Sequence, residues 1–174
     1  MHLAEAEKLA EKITAQLAPF CERLEIAGSI RRRREWVNDI DLVALPKPGQ
    51  LEAFRERVTR HTTPVISGAQ NLIVRLGSLA GSKPPVQLDI FIAQPAERDL
   101  VTSKPGNFGS LLLCRTGSKE HNVYLVQYAK PLGLTWNPYH GVYDGHGHCL
   151  ASETEQDIFA ALTLDFVPPE KREK

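Results

Sequence analysis

The run GSIRRRREWVNDIDLV, residues 28–43, limits the fold more than any other feature, because it sets four consecutive arginines and two aspartates, one residue apart, behind a single Gly-Ser step. Asp39 and Asp41, at i and i+2 of a strand, project to the same side. Two carboxylates held that close repel unless a cation lies between them, so this strand needs one face open to water or to a positive charge. Further on, VQLDIFIA carries one acid, Asp89, among apolar neighbours. A lone carboxylate in a buried strand is costly unless it is paired or bound to metal. The chain is therefore expected to form a sheet that brings Asp39, Asp41 and Asp89 onto adjacent strands.

The remaining pattern supplies that sheet. Leu3, Leu9, Ile13 and Leu17 fall near one face of a 3.6-residue period, predicting a helix over 5–17 stopped by Pro19. A short strand over 24–27 enters Gly28, and the acidic pair opens a strand over 40–45 that ends at PKPG. A surface helix over 51–60 precedes three strand-like runs, TPVIS, NLIVRLG and VQLDIFIA, which complete a mixed sheet. The polar stretch ERDLVTSKPGN, 97–107, marks a boundary between a unit over 1–105 and a smaller one over 106–174. The second reads as a helix over 118–129, a strand and hairpin with a DG turn in LGLTWNPYHGVYDGHGHCLAS, and a last helix over 153–162. The fold class is α+β.

Charge narrows the classes of partner. Twenty-one basic residues balance twenty-one acidic ones, whereas a domain that holds nucleic acid mainly by charge is clearly basic. Any polyanion contact must be local. The three cysteines, Cys21, Cys114 and Cys149, form no C-x-x-C pair and suit a reduced compartment. No apolar run approaches the ~20 residues of a membrane span, and the opening MHLAEAEKLAEK has no signal-peptide core. A cytoplasmic protein with no membrane partner is expected.

Three carboxylates on adjacent strands suit Mg²⁺, which takes oxygen ligands and keeps phosphate oxygens in its shell. That is the donor set of two-metal phosphoryl transfer. Gly28 and Ser29, where a strand gives way to a helix, can turn backbone N–H groups and a hydroxyl toward phosphate. Arg31 to Arg34 cannot all point one way on a helix, so one or two would neutralise a triphosphate while the rest meet water or a nucleic-acid backbone. Each element alone has a plainer meaning: D-x-D is common, an arginine run is usually a solvated face, and Gly-Ser is a turn. Their conjunction with Asp89 favours the phosphoryl-transfer site. His140, His146, His148 and Cys149 are zinc-ligand types, but their spacing matches no standard pattern and reads more simply as a hairpin with surface histidines. Trp36 and Trp136 read as packing residues, with exposure the alternative for Trp36, which lies inside the charged loop.

The order Gly28-Ser29, Arg-Arg, D-x-D, a later Asp and then TGSKEHN, 116–122, resembles the family X DNA polymerases, the polymerase β-like group of the nucleotidyltransferases. The similarity runs from the first helix through ETEQDIFAALTLDFVPPEKRE. The resemblance implies a nucleotidyltransferase palm with a mixed sheet and helices over 1–105, then a small α/β thumb over 106–174. It implies a DNA polymerase that adds dNMP from dNTP to a DNA 3′-hydroxyl, releases pyrophosphate and fills short gaps in DNA repair. Asp39, Asp41 and Asp89 would be its catalytic ligands for two Mg²⁺ ions, with Mn²⁺ as a substitute. Gly28, Ser29, Arg32 and Asn38 would serve the triphosphate. Thr116, Gly117 and Ser118 would lie beside the nucleotide sugar, with Asn122 on the minor-groove edge of the incoming base. Lys119, His121 and Lys130 are the thumb groups offered to DNA, while the plainer reading of the start of this helix is a capping turn with Ser118 as N-cap and His121 at N3.

The implied partners are dNTP, primer-template or gapped DNA and a helper protein, for a monomer comprising palm and thumb without lyase, fingers or phosphoesterase domains. The alternatives are a template-independent terminal transferase, a nucleotidyltransferase acting on RNA or a small molecule, and a binding module that has lost catalysis. Four positions depart from the family pattern. Cys114-Arg115 replaces an aromatic pair, Asn38 a glycine, Val126 an arginine against the template, and Gln87 an arginine that orients the third carboxylate.

Overall fold

Alternation along two strands decides where the acids go. The computed structural model describes residues 1–60, 62–76, 85–98 and 103–173, in two units, Met1–Ile92 and Ala93–Lys174. The first unit runs α1 (Leu3–Leu17), β1 (Cys21–Ile26), α2 (Gly28–Arg31), β2 (Asp39–Pro46), α3 (Leu51–Thr59), β3 (Thr62–Ser67), β4 (Asn71–Leu76) and β5 (Val86–Ile92). Its sheet has the order β1-β2-β5-β4-β3. Only β2 and β5 are parallel, so the sheet is mixed, as the strand pattern predicts.

Ile40 and Leu42 of β2 and Leu88 and Ile90 of β5 are buried with Ala6, Ala10 and Leu17 of α1 and Phe54 and Val58 of α3. Each fully buried Leu, Ile or Phe is worth about 1.5–3 kcal/mol relative to exposure, which pins the strands' orientation. Their odd-numbered neighbours Asp39, Asp41, Gln87 and Asp89 consequently occupy the opposite face. The first helix begins two residues before the predicted start, where the His2 ring accepts the Ala4 N–H. β1 likewise starts at Cys21, earlier than the run 24–27, after one 3₁₀ turn at Ala18–Phe20. Gly77, the end of the NLIVRLG run, and 99–102 of the predicted boundary lie outside the described residues.

The second unit holds a two-stranded ribbon, β6 (Glu97–Arg98) with β7 (Ser103–Lys104), then α4 (Phe108–Thr116), α5 (Lys119–Ala129), β8 (Thr135–Asn137), β9 (Gly141–Tyr143), β10 (Cys149–Ala151) and α6 (Glu155–Ala161). The strands β10-β9-β8 form an antiparallel sheet. α4 is absent from the sequence expectation. Seven of its nine residues are buried, and a helix apolar on every side shows no period to detect. A β-carbon on Gly109 would lie 2.4 Å from the Thr154 backbone, so a glycine permits α4 to pass the start of α6. Leu113, Leu125, Ala129, Trp136, Val142, Ile158, Phe159 and Leu162 form this unit's core.

Trp136 is buried and its indole N–H donates to Ser110 Oγ at 2.8 Å, while Trp36 is 68% exposed. In the hairpin turn, Asp144 Oδ1 accepts the backbone N–H groups of His146 and His148, and both histidines are exposed. The histidine-rich segment is thus a turn organised by a carboxylate. Among the described residues, no helix is long and apolar enough to cross a membrane.

Candidate active site

The register of β2 and β5 sets Asp39 beside Gln87 and Asp41 beside Asp89. Neighbouring strands lie about 4.8 Å apart and two residues span about 6.6 Å, so three carboxylate-bearing positions fall within one small triangle. All three aspartates are partly exposed. Gln87 Nε2 donates to Asp89 Oδ1 at 2.9 Å. The glutamine at this position therefore makes an orienting contact to the third carboxylate. The sequence offers one clue to this: Gln87, at i−2, shares a strand face with Asp89.

Gly28 builds the near wall. It sits at φ +59, and a β-carbon there would lie 1.9 Å from Asp41 Oδ2 and 2.7 Å from Asp41 Cγ, so the carboxylate packs directly on the glycine backbone. The Ala27 N–H donates to the Asp41 carbonyl at 2.8 Å and ties the end of β1 to β2. α2 is a single turn that ends at Arg31. Arg32 is its C-cap and Arg33 takes a left-handed φ of 58. The arginine run is thus spread over a turn, with Arg31 and Arg32 partly buried and Arg33 and Arg34 exposed. Ser29 Oγ is buried without a hydrogen-bond partner, and Asn38 is exposed one residue before Asp39.

This donor set is all oxygen and anionic, the chemistry that Mg²⁺ and Mn²⁺ take. Gly28 leaves the cradle open, and the orphan Ser29 hydroxyl beside it has a bond to give. Among the described residues, however, no three His, Cys, Asp or Glu side chains are grouped so as to hold a metal ion. The backbone brings the three positions to one face, and a shared shell requires the carboxylates to turn toward one another, with Asp89 Oδ1 on Gln87.

In the second unit, TGSKEHN forms a turn between two helices. Thr116 closes α4 and is buried, Gly117 follows at φ +68, and the Gly117–Ser118 peptide is cis. Ser118 is the N-cap of α5: its Oγ accepts the His121 N–H at 3.2 Å, and its own N–H donates to the Arg172 carbonyl at 3.1 Å. Asn122 Nδ2 donates to the Cys114 carbonyl at 2.8 Å, while Asn122 Oδ1 is buried without a partner. Arg115, at the family's aromatic position, donates from Nη2 to the Tyr139 hydroxyl at 2.7 Å, with its guanidinium 5.9 Å from that ring.

Lys119 and Lys130 are exposed at opposite ends of α5, some ~16 Å apart by helical rise. His121 is not a surface cation, which corrects its reading as a DNA contact. It is buried, with its ring centroid 5.9 Å from that of Phe159 and 6.3 Å from that of Tyr124. Burial pushes its pKa down to about 4, and Arg172 adds repulsion that Glu155 only partly offsets. A neutral, enclosed imidazole does not reach a phosphate; its role is to fill the first turn of α5. The sequence also gave no sign of the buried pair Arg172–Glu155, 2.7 Å apart, because the charged tail VPPEKREK reads as solvated.

Residues 111–173 match the family described as DNA polymerase beta thumb. Over 171 residues, 97% of this chain, the sequence is 28% identical to the DNA polymerase/3′-5′ exonuclease PolX of Bacillus subtilis (strain 168). The chain is family X DNA polymerase-like.

This polymerase-like chain spans 28% of the length of that relative. The family match covers the turn at Thr116–Ser118, Asn122 and Arg172, whereas the longer alignment extends through the unit that carries the three aspartates.

Proposed function

We propose that the chain is a metal-dependent DNA nucleotidyltransferase that adds dNMP to a DNA 3′-hydroxyl and fills short gaps during repair in the cytoplasm. The observation that carries this reading is the in-register pair Asp41 and Asp89, with Gly28 clearing the Asp41 carboxylate. In the reaction, the 3′-oxygen bonds to the α-phosphorus, the bond from that phosphorus to the bridging oxygen breaks, the hydroxyl proton leaves and pyrophosphate departs. Two Mg²⁺ ions, or Mn²⁺ in their place, held by Asp39, Asp41 and Asp89, would neutralise triphosphate charge and lower the pKa of the hydroxyl.

The chain's own groups orient the reactants. Gly28 and Asn38 offer backbone N–H groups and Ser29 its unpartnered hydroxyl to phosphate oxygens, while Arg32 supplies a fixed positive charge. Thr116, Gly117 and Ser118 seat the sugar, and Asn122 Oδ1 is the acceptor for the edge of the incoming base. Lys119 and Lys130 meet DNA phosphates. In this reading 1–105 is the palm and 106–174 the thumb of a monomer that binds dNTP and gapped DNA, with a helper protein adding affinity.

Primer extension tests it: the chain, Mg²⁺ or Mn²⁺ and each labelled dNTP alone, on single-stranded, recessed and one-nucleotide-gapped DNA. Addition of the complementary nucleotide at the gap supports the reading. Equal extension of single strands regardless of the opposite base makes the chain a terminal transferase. Transfer to RNA or a small molecule but not to DNA overturns it.

A further inference from the structure

Arg172 is fully buried, yet its guanidinium is held on several sides. Nη1 donates to Glu155 Oε1 at 2.7 Å, Nε donates to the Val167 carbonyl at 2.8 Å, and the Phe159 and Phe166 rings lie 5.5 and 5.4 Å from the guanidinium carbon. Glu155 opens α6 and is itself buried. These ties fix the C-terminal tail against the thumb core. The carbonyl of the same residue then accepts the Ser118 N–H at 3.1 Å. That N–H belongs to the N-cap of α5, a position whose amide no intrahelical bond serves.

We propose that Arg172, anchored by Glu155, is a positioning residue for the Thr116–Ser118 turn, and so sets the seat of the nucleotide sugar from the far end of the chain. The side chain touches no substrate. It locks the tail, and the tail's carbonyl holds the turn that the sugar would meet. The inference rests on the polymerase reading for its consequence, but the mechanical coupling between tail and turn does not.

Removing Arg172 alone leaves the Glu155 charge buried, and such a variant is prone to misfold. Two variants avoid this: Arg172→Lys, which keeps the charge but loses the fork, and the double change Arg172→Met with Glu155→Gln, which leaves no lone charge. Leu162→Ala is the control, because Leu162 is buried in the same core and makes none of these ties. Thermal unfolding first establishes a temperature at which every variant is folded. Two readouts follow, amide hydrogen exchange of Ser118 against that of Leu125, and KM for dNTP against affinity for gapped DNA.

The double variant is expected to lose about tenfold or more in Ser118 protection and to raise the KM for dNTP about tenfold, with Leu125 exchange unchanged and DNA affinity within about twofold. Arg172→Lys falls between it and the wild type, and Leu162→Ala lowers the melting temperature without the KM change. Unchanged Ser118 exchange in a folded double variant overturns the coupling. A KM rise shared equally by Leu162→Ala overturns the positioning role and leaves general destabilisation as the cause. If the wild type transfers no nucleotide, the polymerase reading fails, and Ser118 exchange alone decides whether the tail holds the turn.

Discussion

A β-carbon at Gly28 and the Asp41 carboxylate cannot occupy the same space: the oxygen lies 1.9 Å from where that carbon would be. Gly28→Ala must push Asp41 off its position, in addition to placing a side chain at φ +59, which costs about 1 kcal/mol by itself. Asp41 is partly exposed on the face of β2 opposite the buried layer, so the fold survives. The expected outcome is a folded protein by circular dichroism with nucleotide transfer reduced about 100-fold or more. Transfer within about threefold of wild type would separate Asp41 from the chemistry.

Asp41→Asn and Asp89→Asn each delete a charge while nearly conserving volume. Transfer should fall by about three orders of magnitude, with the melting temperature almost unchanged. Gln87→Ala is the graded test, since it removes only the 2.9 Å contact to Asp89. About a tenfold loss is expected, in keeping with the loss of an outer partner of a ligand. Should Gln87→Ala equal Asp89→Asn, the glutamine itself belongs among the reacting groups.

The buried His121 gives stability a pH dependence of known sign. Its pKa in the folded chain is about 4, against an ordinary value of 6.5. The unfolded chain therefore takes up the proton first as pH falls. Stability is complete above about pH 6.5 and drops as pH falls through the window down to about 4. Between pH 6.5 and pH 5 the loss is about 2 kcal/mol. His121→Gln should flatten that part of the profile in urea unfolding. An equally steep profile in the variant would assign the effect to other groups.

What could be read in the sequence followed from period and spacing. The acidic pair, the lone acid of VQLDIFIA and the alternation around them placed three carboxylates on one face, because a two-residue period leaves no other arrangement once Ile40, Leu42, Leu88 and Ile90 are buried. Ser118 as the cap of α5 was equally legible from its residue type and the helix behind it. α4 was not, since its burial on all sides erased the period. Nor were Arg172 with Glu155, or the interior place of His121. Polar residues in a tail or a first turn look solvated until the packing around them is known.

In the polymerase reading, sugar selection is expected to turn on Arg115. The flat apolar wall of the family's aromatic pair is absent, and the Arg115 guanidinium is instead fastened to the Tyr139 hydroxyl at 2.7 Å. A hydrogen-bonding cation does not exclude a 2′-hydroxyl as an aromatic wall does, so discrimination between dNTP and rNTP should be weak, about tenfold or less. Cys114→Tyr with Arg115→Phe should sharpen it. Tyr139→Phe removes that hydrogen bond and should change the dNTP-to-rNTP ratio of kcat/KM more than it changes kcat for dNTP. Strong dNTP preference in the wild type, untouched by both changes, would assign exclusion to the backbone of Thr116–Ser118.

The last prediction concerns how DNA is held. With His121 enclosed, the α5 helix presents Lys119 and Lys130 at its two ends, and Val126, exposed, stands where the resemblance implies an arginine. The chain as a whole carries no net charge. Few phosphates are neutralised in such a complex, and the logarithm of affinity falls with that of salt by about 0.9 per phosphate contact on duplex DNA. Binding to gapped DNA should therefore be weak with a shallow salt slope. Lys119→Ala or Lys130→Ala should each reduce the slope by about one, whereas His121→Gln should leave it unchanged. Val126→Arg should raise affinity for primer-template and lengthen extension products before it affects the KM for dNTP. Titrations at several salt concentrations with a fluorescent gapped duplex measure all of these. A slope that His121→Gln lowers but Lys119→Ala does not would mean that the first turn of α5 opens on DNA and that the enclosed imidazole becomes a phosphate contact there.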